Sequence, residues 1–339
     1  MGPSGSGKST LLHAIAGRIK ASKKITLSGT RYINQQTISG DCHIPAAVIE
    51  QESNFFPHMT VKETLDFRVE LKLGSQLPKA ERDDVVANLM EMLGLVKSAN
   101  TIVGDSKVRG LSGGERKRLS IACEMISSPP ILILDEPTSG LDSYQATQVM
   151  EYIRKLADSG KTVIAVIHQP SQKVFSLFDD LLLVSEGRML YNGEVKNVRS
   201  YLDHLGFEAE IDTGTAEHVL ECISPNTNGG PDMEMKSKER LDVLGKEALS
   251  ASQALSLGGN TEHEKKLKLV TTSNKTSSNG LRQFKLLLGR AFKELVRGKG
   301  AIIIKVVQQV TLGVIYGGIY KLADNQVRKG SKLQVEKRG

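Results

Sequence analysis

An α/β fold is predicted by three observations on this 339-residue chain. Short apolar runs at Ala46–Ile49, Ile131–Leu134 and Thr162–Ile167 have the length and composition of buried strands. Stretches with helical periodicity or helix-start signals separate them. The string LSGGERKRLSIACEMISSPPILILDEPTSGLD, from Leu111 to Asp142, joins a helix start, a strand and two carboxylates without a break. After this α/β body the sequence predicts a disordered linker and then an α-helical, membrane-directed segment.

Composition narrows the classes. Hydrophobic residues make up 39% of the chain, enough for a sizeable core, while aromatics are 4% with no Trp. Cys42, Cys123 and Cys222 are scattered without metal-ligand spacing, which suggests reduced thiols in a cytosolic body. No secretory h-region is expected at the start. The net charge of +7 is unevenly placed. From Leu281 onward there are 13 Lys/Arg against 3 Asp/Glu, whereas the preceding 280 residues carry 32 against 35. Positive charge concentrated beside apolar residues favours a membrane surface, and the slightly acidic body gives no reason to expect nucleic acid.

In chain order, Gly2–Thr10 read GPSGSGKST, and Gly2 to Ser9 fit the phosphate-binding pattern GxxxxGK[ST]. Glycines let backbone amides wrap phosphate oxygens, Lys8 adds charge at the β/γ-phosphates, and the Ser9 hydroxyl can ligate Mg²⁺. Gly2, Pro3, Ser4, Gly5, Ser6, Gly7, Lys8, Ser9 and Thr10 are therefore candidate ATP-binding residues. Ala46–Ile49 ends at Glu50-Gln51. Thr60 and Glu63 form a capping box that starts a helix through about Glu70. A second helix, roughly Lys79 to Leu93, keeps Val85, Val86, Leu89, Met92 and Leu93 on one face as core.

In the central string, Ser112, Gly113 and Gly114 open a helix, so a hydroxyl and bare amides sit at its positive end. Pro129-Pro130 stop that helix, and the strand Ile131–Leu134 leads to Asp135 and Glu136. One carboxylate can hold a metal while the other polarises water. Tyr144–Ala157 then reads as a helix, Thr162–Ile167 as another buried strand, and His168 follows directly. Leu181–Val184 and Met189–Tyr191 predict a hairpin about Glu186-Gly187-Arg188. Between 224 and 280 the composition turns to Ser, Asn, Gly and Lys, which predicts disorder. Residues 281–300 predict an amphipathic helix with apolar Phe284, Leu287, Leu288, Ala291, Phe292 and Leu295 opposite basic residues. Residues 301–322 are long and apolar enough to span a bilayer, although Lys305, Gln308 and Gln309 interrupt them.

The central string resembles the signature motif and Walker B of an ABC-type ATPase, a P-loop NTPase with a helical subdomain. RGLSGGERKR (109–118), IHQPS (167–171), FDDLLLVSEGRMLYNGE (178–194) and YLDHLGF (201–207) are similar to the G subfamily of ABC transporters, the White or pigment-precursor type of half-transporter. The likeness runs from Gly2 to about Ser224 and partly returns after Leu281. It implies a Q-loop at Gln51, where the amide reaches Mg²⁺ or the attacking water. It implies a switch histidine at His168, where an isolated histidine after a strand is otherwise structural. Glu136 with His168 and Gln51 would be catalytic, Ser9, Gln51 and Asp135 would hold Mg²⁺, and Asp142 would be the D-loop contact between protomers.

The resemblance further implies an ATPase domain at 1–223 on the cytoplasmic side of a membrane, a linker at 224–280, a connecting helix at 281–300, a first transmembrane helix at 301–322 and a tail at 323–339. Two such domains would pair head to tail, as a homodimer or heterodimer. Ser112, Gly113 and Gly114 of one would complete the ATP site of the other and drive export of a lipophilic small molecule. The strand expected before Gly2 and the family's upstream adenine-stacking aromatic are missing, which predicts a chain cut short at both ends and a weak or inactive ATPase. Two alternatives stay open: a non-catalytic fragment that pairs with a full-length half-transporter, and a soluble ABC ATPase acting on ribosomes or DNA.

Overall fold

Strand β4 (Ile131–Asp135) is the centre of the body, because it is apolar on both faces and both faces are covered. In this computed structural model, residues 1–19, 25–33, 36–38, 45–51, 54–74, 76–208, 213–225, 231–257 and 280–336 are described. β4 lies between β3 (Ala46–Ile49) and β5 (Thr162–Val166), and all three strands are parallel. Alternation along β4 separates two cores. Leu132 and Leu134 join a large cluster with α2 (Val61–Leu73), α3 (Lys79–Met92), α4 (Gly113–Met125) and α5 (Ser143–Asp158). Ile133 instead meets Val48, Val166 and Leu12 of α1 (Lys8–Ile15). β5 is only partly buried, not the fully covered strand its apolar run predicts.

The helix starts follow the sequence signals. Thr60 accepts from Glu63 N (3.2 Å) while Glu63 accepts from Thr60 N (3.1 Å), the reciprocal capping box. On α3, Val86, Leu89 and the following Leu93 are buried, but Met92 is exposed, so the apolar stripe is narrower than predicted. An antiparallel pair, β1 (Arg31–Ile33) and β2 (Gln36–Ile38), precedes β3 and carried no clear sequence signal. After β5, a short α6 (Gln172–Phe175) leads to the predicted hairpin, β6 (Asp180–Ser185) with β7 (Arg188–Glu194). Its turn is left-handed at Glu186 (φ 49) and Gly187 (φ 72). α7 (Val198–His204) and α8 (Thr215–Ile223) pack on the hairpin as a second core.

The disordered linker predicted for 224–280 is corrected in part. Pro231–Leu257 form a helix, α9, whose Leu241, Leu244 and Ala248 are buried, the two leucines in the hairpin core. Those residues recur at helical spacing within a polar composition, and burying them offsets the ordering entropy that composition alone suggested would win. The rest of that segment, 226–230 and 258–279, lies outside the described residues, as does Cys42. Cys123 and Cys222 are buried free thiols, and burial pushes the Cys123 thiol up to about 12.

α10 (Gly280–Arg297) matches the predicted amphipathic helix, and its basic side docks on α2. Arg297 makes paired bonds to the Glu63 carboxylate (2.6 and 2.8 Å) and donates to His58 O (2.9 Å). Arg282 pairs with Glu70, and Arg290 stacks over Phe56 (4.0 Å) and Phe67 (5.2 Å). Leu281, Phe284, Leu288, Phe292 and Leu295 on the apolar side are exposed. α11 (Lys299–Glu336) follows, and its segment Ile303–Lys321, with mean hydropathy 1.3, is long and apolar enough to cross a membrane.

Candidate functional site

Residues 1–7 form a loop that leads into α1. The sequence predicts a loop without a strand to anchor it, but the β6–β7 hairpin supplies an anchor. Met1 N donates to Leu182 O (2.6 Å), Val184 N to Met1 O (2.9 Å) and Gly187 N to Ser6 O (3.1 Å). Gly2 runs so close to β6 that a Cβ would lie 1.9 Å from Val184 O, which leaves room for no side chain. Gly7 precedes α1 in a left-handed conformation (φ 94), the type of turn that lines up successive amides for an anion. Ser4 and Gly5 lie exposed at the loop tip, and Thr10 is exposed on α1.

Lys8 is buried and donates to Pro3 O (2.7 Å). Burial pushes its pKa down, and the nearby Glu136 and Asp135 carboxylates pull it back up. The Ser6 hydroxyl is buried without a hydrogen-bond partner. An orphaned polar atom inside a glycine-rich loop fits a cradle whose last contacts come from a ligand.

The carboxylates stand at the end of β4, facing this loop. Ser9 Oγ donates to Asp135 Oδ1 (3.0 Å) across 126 residues of sequence. Glu136 is held in a left-handed conformation (φ 45), which costs a non-glycine residue roughly 1–2 kcal/mol. Its amide donates to Val166 O (3.1 Å), so β5 holds the turn in place. Gln51 Nε2 donates to Glu136 Oε2 (3.0 Å) and to Ser139 Oγ (3.1 Å). His168, exposed at the end of β5, lines a cavity of about 300 Å³ with Glu136, Thr138, Ser139 and Gly140. Gln169 beside it also has positive φ (47°).

These residues fit a nucleotide with Mg²⁺. The Ser9 hydroxyl, Asp135 carboxylate and Gln51 amide offer hard oxygen donors of the kind Mg²⁺ takes. No group of three or more His, Cys, Asp or Glu residues that could hold a metal occurs among the described residues.

Ser112, Gly113, Gly114 and Asp142 form a separate cluster at the starts of α4 and α5. Ser112 caps α4 by accepting from Glu115 N (3.2 Å), and Glu115 accepts from Ser112 N (2.9 Å). Glu115 also bonds Ser98. Gly114 N donates to Gln145 Oε1 (3.1 Å), and Asp142 caps α5 by accepting from Gln145 N (2.8 Å). Among the described residues no hydrogen bond links this cluster to the phosphate-binding loop. Ser9 with Asp135, and Gln51 with Glu136, are thus joined by hydrogen bonds, while the glycine-rich helix start abuts Gly140 and Leu141, which line the cavity of Glu136 and His168.

Two participants were not read from the sequence. Ser139 follows the carboxylates in a loop with no distinguishing pattern. Lys117 is buried on α4, and its ammonium donates to Glu50 O (3.2 Å) and Gln51 O (2.8 Å). Its position one turn before buried Ile121 was the available signal, masked by the flanking Arg116 and Arg118.

Residues 1–139 match the ABC transporter family, and residues 168–228 match an ABC-2 type transporter family. The second match falls on α6, β6, β7, α7 and α8, not on α11. The chain is 38% identical over 325 residues to ABC transporter G family member 7 of Arabidopsis thaliana, covering 94% of this chain and 45% of that protein. It is 31% identical over 328 residues to Protein white of Drosophila melanogaster, covering 94% of this chain and 47% of that protein. ABC transporter G family member 1 of Dictyostelium discoideum is 37% identical over 239 residues, 69% of this chain and 29% of that protein. The chain spans about half the length of the first two relatives.

Proposed function

The chain belongs to the ABC transporter G family, as a nucleotide-binding domain with the start of a membrane domain, and from that premise we propose that it hydrolyses ATP to drive export of a lipophilic small molecule. The observation that carries this reading is the convergence of Ser9 with Asp135 (3.0 Å) and of Gln51 with Glu136 (3.0 Å) beside the buried Lys8.

In this reading the loop amides of residues 2–9 and Lys8 hold the β- and γ-phosphates. Ser9, Asp135 and Gln51 would hold Mg²⁺, which would supply charge neutralisation at the phosphate oxygens. Glu136 accepts a proton from the attacking water, and Gln51 keeps that carboxylate oriented. His168 lines the same cavity and contacts the γ-phosphate. Ser112, Gly113 and Gly114 make no hydrogen bond to their own chain's loop among the described residues. They complete the site of a second half-transporter, with Asp142 at the contact between the two. Residues 1–223 form the ATPase, on the cytoplasmic side, while 281–300 connect it to a first transmembrane helix at 301–322.

Mixed dimers test the composite site. One chain carries Ser112→Arg and its partner Lys8→Ala, which places both lesions in a single site and leaves the other intact. Such dimers should keep ATPase activity, whereas a chain bearing both substitutions paired with the wild type should lose it. The reverse pattern would show that each chain uses its own signature residues and would overturn the pairing.

A further inference from the structure

Lys117 is a buried ammonium with an unusual position. It is 7% exposed, and burial lowers its pKa while Asp135 and Glu136 raise it. A lysine so placed stays charged only when its donors are satisfied. Here they meet two successive carbonyls, Glu50 O at 3.2 Å and Gln51 O at 2.8 Å. Those carbonyls follow directly after β3, where the ladder with β4 has ended at Ile49. The ammonium therefore fixes the backbone whose side chain, Gln51, reaches Glu136 and Ser139. The other tether of this segment is weaker. The Arg18–Glu50 ion pair is short (2.9 Å), but both side chains are about half exposed or more.

The same lysine stands on the first turns of α4, five residues after the cap Ser112. A helix transmits a displacement of its N-terminus over that distance, roughly 7–8 Å, as a rigid body. We propose that Lys117 is a positioning residue that ties the signature helix to the Gln51 backbone of the same chain, so that occupation of Ser112–Gly114 by a partner's nucleotide is felt at this chain's own Gln51–Glu136 pair. The inference rests on the ATPase reading above and adds to it a physical link between the two sites of a dimer. The residue touches no phosphate in this account. It acts through Gln51.

The test compares Lys117→Met, which keeps the length of the stem without donors, with Lys117→Arg, which restores donors to both carbonyls. Lys117→Met should lower kcat about tenfold with KM for ATP within about twofold, because the phosphate-binding loop is untouched. Lys117→Arg should recover most of that loss. A double-mutant cycle with Gln51→Ala should be non-additive, the double variant being no slower than the slower single one. Amide hydrogen exchange over residues 49–51 supplies a readout that needs no hydrolysis: protection should fall in Lys117→Met and return in Lys117→Arg. Wild-type chains without ATPase activity would sink the ATPase reading, yet the exchange result would still decide the link. Full additivity with Gln51→Ala, or unchanged protection at 49–51, would overturn the proposal. If Lys117→Met does not fold, the exchange comparison is made with Lys117→Leu, which also lacks donors, with the same two outcomes.

Discussion

Helices α4 and α11 handle polar and apolar residues in opposite ways. α4 buries Lys117 and Arg118 among Leu119, Ile121 and Ala122. Lys117 meets the Glu50 and Gln51 carbonyls, and Arg118 lies over the Tyr152 ring at 5.2 Å, although its buried Nε has no hydrogen-bond partner. α11 exposes Ile303, Ile304, Val306, Val307 and Val310, each more than half accessible. One physical rule accounts for both. Apolar area is stabilised wherever water is excluded, and charge is tolerated inside only when it is paired. α4 meets that rule inside a folded body, and the apolar stretch of α11 is long enough to meet it in a bilayer. α10 joins the two regimes, with arginines against α2 and leucines and phenylalanines facing away from it.

The largest difference should appear on truncating an apolar side chain in each region. Leu132→Ala, at a fully buried position of β4, should destabilise the body by about 2–5 kcal/mol. Ile304→Ala should leave thermal melting of the body unchanged, and a matching loss there would mean that α11 packs on the body after all. The reciprocal experiment places a charge in α11. Val310→Arg, within the candidate span 303–321, should cost about 2.5–3.5 kcal/mol of membrane insertion, or on the order of a hundredfold in partition into vesicles. Insertion equal to that of the wild type would remove the span.

A smaller effect is expected at the joint. Glu63→Gln keeps a residue that can complete the capping box but loses the ion pair with Arg297, so α2 should persist while α10 loosens. With Arg297 about two-fifths exposed, the loss should be about 1 kcal/mol or less, visible as faster amide exchange in α10. The pH dependence has a definite sign. The Arg297 hydrogen bonds pull the Glu63 carboxyl down from 4.5 to about 2. A carboxylate lowered on folding contributes stability above its unfolded pKa, and that contribution is lost as pH falls through the folded value. Attachment of α10 should therefore hold at neutral pH and weaken between about pH 4.5 and 2, and Glu63→Gln should remove that dependence. An unchanged pH profile in Glu63→Gln would show that Glu63 does not govern the joint.

The same contrast explains which features were legible in the sequence. The strands, the caps at Thr60 and Ser112 and the phosphate-binding and carboxylate motifs sit in local patterns of fixed spacing, so Lys8, Ser9, Asp135 and Glu136 stood out without a structure, whereas His168 was singled out by the family resemblance alone. α10 and α11 were legible because amphipathic and continuous apolar stretches are long signals. α9 was hidden because Leu241, Leu244 and Ala248 are few within a polar composition, and their value depends on the hairpin they cover. The hairpin's grip on Met1 and Ser6 was hidden too, since it consists of backbone bonds, to which any sequence can contribute. Lys117 was missed because three neighbouring cations look alike until one of them is buried.

In the proposed mechanism the Glu136 carboxylate, directly after β4, receives the proton of the attacking water. Glu136→Gln tests it most directly, because the amide oxygen keeps an acceptor for Gln51 Nε2 while the base is lost. ATP binding and hydrolysis should be measured side by side in wild-type and variant chains. The account predicts binding within about twofold and hydrolysis slower by about 10²–10⁴. Turnover equal to that of the wild type would contradict it.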